Sequence, residues 1–307
     1  MFDFHIHLTR LPHPKQLTQL LCDQNYDFIA VACETWEWKE IAKLKKEFST
    51  EVKPFKSAYG IHPMIATQVT NETVLKLRKF LENDELAMVG EAGIDKRYPG
   101  YDDGLQDRIF LEQAKLALEL KRDLQIHCVG DYQRILRLLT EAGFTQDHEI
   151  HQQKAASLDL PHQAAQLLNH AKQEMPRPCF HRFGGDSGFV KKALPFGALF
   201  SLHTDSFHKK STAAAIPHIP QERIFFETDA DETFILNADN ATAKANKVIR
   251  PLAEGMETVT STATVDPGTE SGVTSERAAG VTTPEEILAE LERRLESVRA
   301  AYAKCRE

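Results

Sequence analysis

The sequence predicts a (β/α)8 barrel, the fold also called a TIM barrel. Short apolar stretches of strand length alternate with helical patterns up to about residue 230, and the connections between them are short. In addition, several of the strands end in His, Glu or Asp. Since the active sites of such barrels lie at the carboxyl ends of the strands, those polar strand ends are candidate functional residues.

Eight strands and five intervening helices can be placed in order along this part of the chain. The predicted strands cover residues 2–7, 26–32, 55–60, 86–90, 124–127, 177–180, 197–202 and 223–226. The predicted helices cover residues 14–22, 38–48, 73–81, 105–120 and 132–139. The helix over residues 105–120 has the clearest amphipathic pattern, because its apolar side chains recur at helical spacing.

The predicted organisation is a barrel domain over residues 1–255, a flexible linker over residues 256–283 and a C-terminal helix over residues 284–307. Within the barrel domain, residues 143–176 form a polar insertion after the fifth strand, ending in a helix over about residues 162–173. The histidines of this insertion show no tight ligand spacing, so we interpret it as a solvated cap.

The C-terminal helix has a clear start and one apolar stripe. Thr283 is the predicted N-cap, Pro284 occupies the first helical position and Glu286 is the capping-box partner. The stripe consists of Ile287, Leu291, Leu295, Val298 and Tyr302. Two interpretations follow from it: the eighth barrel helix, reached across a long insertion, or a helix that binds a protein partner or drives oligomerisation.

Charge and composition limit the classes of partner. The net charge is −8, but residues 251–307 carry 6 Lys and Arg against 11 Asp and Glu, so the barrel domain is close to neutral. It therefore lacks a broad basic field, and a nucleic-acid substrate would have to be held locally. No apolar run suggests a membrane span, and the N-terminus has no signal-peptide pattern. Five scattered cysteines indicate reduced thiols and a cytoplasmic protein.

The first strand supplies the first candidate metal ligands. Because alternate side chains of a strand share a face, His5 and His7 are expected to point one way, and Phe4 and Ile6 the other. Imidazole is a common ligand for divalent metals. Together with residues at the ends of later strands, the candidate ligands are His5, His7, Glu91, His127, His181 and Asp229.

Seven short motifs occur in a fixed order between residue 1 and about residue 230. They are Asp3-x-His5-x-His7, Tyr59-Gly60-Ile61-His62-Pro63, Val89-Gly90-Glu91-Ala92-Gly93-Ile94-Asp95, Phe110-x-x-Gln113-x-x-Leu116-Ala117, Ile126-His127, Phe180-His181-x-Phe183-Gly184-Gly185 and Phe226-Glu227-Thr228-Asp229. As a set they resemble the TatD family of metal-dependent deoxyribonucleases, within the amidohydrolase-like barrels. The resemblance implies a barrel with two divalent metal ions (Mg, Mn or Zn) that hydrolyses DNA phosphodiester bonds, typically by trimming single strands from an end.

Carried over by position, the resemblance also implies roles for individual residues. His5, His7, Glu91 and Asp229 would hold one metal, and Glu91, His127 and His181 would hold the other, so that Glu91 bridges the two. Asp229 is the candidate general base and proton acceptor. His62 is expected to donate a hydrogen bond to a phosphate oxygen, and His203, after the seventh strand, is a second candidate substrate contact on the same rim.

The sequence departs from the family pattern at three places. The family usually carries an Arg two residues after the histidine of the fifth strand, where this chain has Val129. The usual Asp-x-Pro run is replaced by Asp229-Ala230-Asp231, and the Arg-Asn-x-Pro-like segment that usually follows is not recognisable. All three bear on substrate or on the closing loops rather than on the metals. We therefore expect a divergent member that keeps its metal site but differs in substrate preference.

Three functional hypotheses are open at this point. The first is a nuclease acting on single-stranded DNA ends. The second is a small-molecule amidohydrolase or phosphoesterase, which the near-neutral barrel domain and Val129 favour, although no Lys stands where a bridging carbamylated Lys would be expected. The third is a non-catalytic subunit of a larger assembly, which a lost ligand would indicate, but none of the six is lost.

Overall fold

The computed structural model describes residues 1–145, 175–233 and 283–306, and every structural statement concerns those residues. Eight strands form one sheet in which each strand pairs in parallel with the next along the chain. They are β1 (Phe2–Ile6), β2 (Asp27–Val31), β3 (Lys56–Tyr59), β4 (Met88–Asp95), β5 (Leu124–Val129), β6 (Pro178–Phe180), β7 (Leu199–Leu202) and β8 (Ile224–Phe226).

The sheet closes where the residues after β8 meet β1. The amide of His7 donates to the carbonyl of Ala230 at 2.9 Å, and the amide of Asp229 donates to the carbonyl of His5 at 3.0 Å. The buried Asp3 carboxylate strengthens the junction, because it accepts the amide of Thr228 at 3.0 Å and its hydroxyl at 2.6 Å. The prediction of a (β/α)8 barrel is confirmed.

Seven of the described helices lie between successive strands, as the parallel order requires, and the last one follows β8. They are α1 (Pro14–Asp23), α2 (Thr35–Phe48), α3 (Asn71–Asn83), α4 (Leu105–Leu120), α5 (Tyr132–Ala142), α6 (Ser187–Ala193), α7 (Lys210–Ala215) and α8 (Pro284–Arg306). The first five coincide with predicted helices to within a few residues at each end. The short helices α6 and α7 were not predicted, because one or two turns hold too few residues to establish a period.

The buried apolar residues form two clusters, one among the strands and one between the strands and the helices. The smaller cluster draws on the strands alone, and in it Phe4 stacks on Phe225 with ring centroids 4.6 Å apart. The larger cluster joins strands to helices and contains Ile6. Phe4 and Ile6 therefore do not share a face as simple alternation predicts, because the register of β1 shifts between Asp3 and Ile6.

Helix α8 packs on the barrel beside α1 and β8. Its start is the predicted capping box, since Thr283 and Glu286 exchange hydrogen bonds between side chain and backbone. The side chains of Ile287, Leu288, Leu291, Leu295 and Val298 are buried in the larger cluster. Because the barrel already covers this stripe, the packing favours the eighth barrel helix over a partner-binding helix. The predicted insertion helix over 162–173 and nearly all of the predicted linker lie outside the described residues.

Two further expectations concern the thiols and the membrane. All five cysteines are free thiols, and Cys33 and Cys179 are buried. In the described ranges, no helix combines the length and the apolar character needed to cross a bilayer.

Candidate metal centre

The six candidate ligands come together at the carboxyl ends of the strands, around the carboxylate of Glu91. Glu91 and His127 lie within β4 and β5, whereas the sequence placed them at the strand ends, so these two strands run further toward the site than predicted. Every one of the six side chains is at least 88% buried, with His127 the most exposed at 12%. So many buried ionisable groups require compensation by charges of opposite sign.

One group of ligands faces Oε2 of Glu91. The Nε2 atoms of His5 and His7 lie 3.3 Å and 3.6 Å from that oxygen. The same two nitrogens lie 3.3 Å from each other, and 3.7 Å and 3.3 Å from Oδ1 of Asp229. Two ring nitrogens and two carboxylate oxygens therefore converge on one small volume.

A second group faces the other oxygen of Glu91. Nδ1 of His127 and Nε2 of His181 each lie 2.6 Å from Oε1, and they lie 3.2 Å from each other. The Glu91 carboxylate thus separates two sets of nitrogen ligands, with one oxygen directed toward each set.

Acceptors behind two of the histidines fix which ring nitrogen faces the centre. Nδ1 of His7 lies 3.2 Å from the carbonyl of Val31, and Nε2 of His127 lies 2.9 Å from Asp95. Nδ1 of His181 faces the buried Glu227 at 3.6 Å, which is longer than a hydrogen bond. A proton on the rear nitrogen of His7 and of His127 directs their other nitrogens inward as ligands, which is the usual arrangement of metal-binding histidines.

The electrostatics of the cluster favour a cation at its centre. Burial alone raises the pKa of Glu91, but the histidines His181, His62 and His127 outweigh it and hold that pKa well below its usual range. Burial conversely lowers the pKa of His181, yet Glu91 and Glu227 raise it to about 10. The protein therefore prefers positive charge between these nitrogens and the carboxylate.

The donor set fits divalent metal ions. Imidazole nitrogens and carboxylate oxygens are the ligands that Zn, Mn and related ions share. Protons on the inward nitrogens would be displaced when a metal binds, since ligating histidines must be neutral there. Several overlapping sets of three side chains could hold an ion, including His5, His7 and Asp229, and also His62, Glu91 and His127.

His62 is oriented as a hydrogen-bond donor. Its Nδ1 accepts the amide of Met64 at 3.0 Å, so the proton of the neutral ring is on Nε2, which lies 3.6 Å from Oε1 of Glu91. Burial and the neighbouring His127 lower the pKa of His62 well below its ordinary value, which keeps the ring neutral. This geometry agrees with the expected role of donating to an oxygen, although the role itself stays a prediction.

Two glutamines of α4 hold the loops that carry the site. Gln113 accepts the amide of Ile61 at 2.7 Å and donates to its carbonyl at 3.0 Å, which fixes the backbone next to His62. Gln106 lies two turns earlier on the same face of α4. It accepts a hydrogen bond of 2.7 Å from the amide of Asp95 and donates one to the carbonyl of the same residue. Gln113 belongs to one of the seven sequence motifs, but no role was predicted for it.

His203 lies outside the central cluster. Its Nδ1 accepts the amide of Asp205 at 3.2 Å and thereby caps the short helical turn after β7. The contacts described for its ring are with Thr204 and Asp205. Its expected contact with substrate stays a prediction, while the structure shows how it positions Asp205.

Four site residues were not singled out from the sequence. Asp95 bonds His127 from behind and Glu227 lies 3.6 Å behind His181, although both belong to motifs that were recognised. Cys33 lies 3.4 Å from Oε2 of Glu91, and Arg182 lies 2.6 Å from Asp229. Nothing local in the sequence marks Cys33 or Arg182, because each is defined by a contact with a distant strand.

A parallel barrel with buried histidines and carboxylates at the carboxyl ends of its strands defines the class of metal-dependent hydrolase barrels. The family model described as TatD related DNase matches residues 2–266. The chain belongs to this family.

Individual relatives share only part of their length and a low sequence identity with this chain. A protein named 3'-5' ssDNA/RNA exonuclease TatD from Cronobacter turicensis is 26% identical over 177 residues, which is 57% of this chain and 56% of that protein. A protein named uncharacterized metal-dependent hydrolase from Buchnera aphidicola is 32% identical over 87 residues, 28% of this chain and 32% of that protein. The matches thus span little more than half the length of the exonuclease relatives.

The solved structures that resemble this one share its fold. The TatD homolog YJJV from Escherichia coli has a TM-score of 0.57 at 18% identity, covering 75% of this chain and 79% of the other. A TatD family hydrolase from Entamoeba histolytica has a TM-score of 0.56 at 14% identity, covering 75% and 73%. At these identities the comparison concerns the barrel alone.

Proposed function

We propose that this protein is a divalent-metal-dependent nuclease that hydrolyses phosphodiester bonds of DNA. The observation that carries the proposal is Glu91, whose two carboxylate oxygens face two separate sets of ligands. His5, His7 and Asp229 with Oε2 would hold one metal, and His127 and His181 with Oε1 would hold the other. A bridging carboxylate of this kind is typical of two-metal phosphodiesterases.

The chain's own side chains then have defined tasks. Divalent cations bound at this centre would offset charge on the phosphate and lower the pKa of the attacking water. Asp229 accepts the proton of that water, since its carboxylate borders the ligand set. The group is ionised and free to do so, because His7 and His181 hold its pKa well below the usual range against the effect of burial. His62 donates its Nε2 proton to a phosphate oxygen.

The proposed substrate is the end of a single DNA strand. The relative from Cronobacter turicensis is named as an exonuclease on single-stranded DNA and RNA, which supports this choice. The half-exposed ring of Trp36, in the first turn of α2, offers a surface on which a base can stack. It lies at the end of the barrel where the strands terminate, because α2 begins there.

The test is cleavage of a single-stranded oligodeoxynucleotide, labelled at either end, with Mg, Mn or Zn added. We expect ladder-like shortening that a chelator abolishes and that is lost in Asp229→Asn and His127→Ala. Glu119→Gln, on the outer face of α4, serves as the matched control and should cleave normally. Folding of each variant is checked by circular dichroism. Absence of cleavage by the wild-type protein with any metal would overturn the nuclease assignment.

A second candidate is hydrolysis of a small-molecule ester or amide in the same centre. Val129 favours it, because the family's usual Arg at that position is absent from β5. Activity on nucleotides or lactones, with none on DNA of any form, would support this alternative.

A further inference from the structure

The rim of the metal centre contains one arginine that reaches from β6 to the loop after β8. Arg182 follows His181 directly and has a left-handed backbone conformation, with φ of 43°, that residues other than glycine seldom adopt. Its amide donates to the buried Glu227, which holds the residue in this conformation. The side chain is thereby directed across the mouth of the site.

The guanidinium of Arg182 is fixed by two carboxylates. Nη1 donates to Oδ2 of Asp229 at 2.6 Å, and Nε donates to Oδ2 of Asp205 at 3.2 Å, with Nη2 also bonded to Asp205. Asp229 presents its other oxygen, Oδ1, to His5 and His7. Arg182 is therefore in direct contact with one of the proposed metal ligands.

Donor capacity is left over on this guanidinium. An arginine has five N–H groups, and within residues 1–145, 175–233 and 283–306 three of them are used, by Asp205 and Asp229, which leaves one on Nη1 and one on Nη2. The side chain is 46% exposed, so these two N–H groups can be reached from solvent. Two N–H donors on one guanidinium can pair with two oxygens of a phosphate group.

A second arginine strengthens the positive field at this rim. Arg97 pairs with Asp95 through two nitrogens, and its side chain is 60% exposed. Because Asp95 also bonds Nε2 of His127, Arg97 is one carboxylate away from that candidate ligand. At the end of β5, where the family usually has an arginine, this chain has Val129.

We propose that Arg182 binds the scissile phosphate of the substrate and does so from β6, in place of an arginine on β5. The two unused N–H groups receive two non-bridging phosphate oxygens while the other three keep the guanidinium in position. This inference rests on the proposed function, since it assigns a contact to the substrate of the same centre.

The experiment compares Arg182→Ala and Arg182→Lys with the wild-type protein. Hydrolysis of thymidine 5'-p-nitrophenyl phosphate gives kcat and KM, calorimetry gives the affinity for inorganic phosphate, and elemental analysis gives the metal content. Arg78→Ala is the matched control, because Arg78 pairs with Glu119 on the outer helices, away from the site. Added guanidinium ion tests whether the missing group can be replaced.

Arg182→Ala should raise KM and weaken phosphate binding by about tenfold or more at unchanged metal content, as expected for loss of a charge-assisted pair of hydrogen bonds. Guanidinium ion should restore part of the activity of Arg182→Ala. Arg182→Lys should have a KM and a phosphate affinity between those of Arg182→Ala and the wild type, and Arg78→Ala should have wild-type values of both. An unchanged phosphate affinity would overturn the inference. So would loss of metal without a specific loss of phosphate binding, because Arg182 would then only position Asp229.

An error in the nuclease assignment and an error in the role of Arg182 give different results in this experiment. If the wild-type protein hydrolyses no diester, calorimetry still measures whether phosphate binding to the metal-loaded protein depends on Arg182. If the wild-type protein hydrolyses diesters and Arg182→Ala has the same KM and phosphate affinity, only the assignment of Arg182 is wrong.

Discussion

Gly93 in β4 lies against the backbone of His127 in β5, so closely that a Cβ atom at residue 93 would be 1.8 Å from the carbonyl oxygen of His127. Because that neighbour is backbone within a paired strand, it cannot move without breaking the β4–β5 ladder. Gly93→Ala should therefore lower the free energy of unfolding by about 3 kcal/mol or more, the upper end of the cost of overpacking.

Thermal and urea denaturation of Gly93→Ala measure this loss. The control is Gly188→Ala in α6, where the added Cβ would meet only the carboxylate of Asp186 at 3.3 Å. That substitution should change stability by no more than about 1 kcal/mol, since alanine is favoured over glycine within a helix. Equal stability of Gly93→Ala and the wild type would contradict the close approach of the two strands.

Metal binding should stabilise the folded protein through the same centre. A metal that binds only the folded state, at a free concentration of 100 times its Kd, adds about 2.7 kcal/mol to the free energy of unfolding. We expect a rise in the melting temperature on adding Zn or Mn to protein stripped by chelator. Glu91→Gln should lose most of this rise, because both ligand sets use that carboxylate.

Differential scanning fluorimetry with a metal titration provides the measurement. Glu119→Gln, an exposed carboxylate on α4, should respond to metal like the wild type. A melting temperature that rises equally in Glu91→Gln and the wild type would place the metal elsewhere.

Gln113 should control His62 without contributing a ligand. Gln113→Ala removes two buried hydrogen bonds to the backbone of Ile61, which costs about 1–3 kcal/mol of stability because the amide and carbonyl are left unpaired. The loosened loop should raise KM while the metal content stays at the wild-type value. Gln19→Ala, which removes an exposed bond to Asp23, is the control in steady-state kinetics and elemental analysis. Loss of metal from Gln113→Ala would argue against a separate role of this loop.

Helix α8 should be required for a stable barrel. Leu295 is fully buried against the larger apolar cluster, so Leu295→Ala should lower the free energy of unfolding by about 2–5 kcal/mol. Leu75→Ala on α3, at a side chain 59% exposed, should change it by less than about 0.5 kcal/mol. Urea denaturation of the two variants decides the point, and a near-neutral Leu295→Ala would mean that α8 does not dock in solution.

The Trp36 side chain should contribute to the binding of oligonucleotides but not to the binding of small diesters. Its ring is 47% exposed and the Arg10 guanidinium lies 5.8 Å from the ring centroid, held there by Glu34 and Glu37. Stacking of a base on an aromatic ring contributes about 1–3 kcal/mol. Trp36→Ala should therefore raise KM for an oligodeoxynucleotide about fivefold or more, and leave KM for a p-nitrophenyl diester unchanged. A parallel rise for both substrates would instead indicate a general disturbance of the site.

Regular patterns in the sequence were sufficient to predict the strand order and the six side chains that converge around Glu91. The alternation around His5 and His7 is local, and barrel topology carries each later strand end to the same face, so the convergence on Glu91 follows from order alone. The apolar stripe of α8 is likewise visible at helical spacing, but which surface covers it depends on packing that no local pattern specifies.

Other features depend on contacts between residues far apart in the chain. Arg182 occupies a position that its motif leaves open, and its carboxylate partners lie 23 and 47 residues away. The face change between Phe4 and Ile6 arises from a register shift against β2, which periodicity does not reveal. The supporting role of Asp95 behind His127 could have been found in its motif, because metal-binding histidines regularly have a carboxylate behind them.

The placement of α8 has a consequence for synthesis of the protein on the ribosome. All eight strands precede residue 227, yet the surface of α1 and β8 that α8 covers stays exposed to solvent until residues 284–306 have been translated. A nascent chain paused between these points presents an apolar surface that chaperones can recognise. The number of residues between β8 and α8 therefore sets how long that exposure lasts during translation.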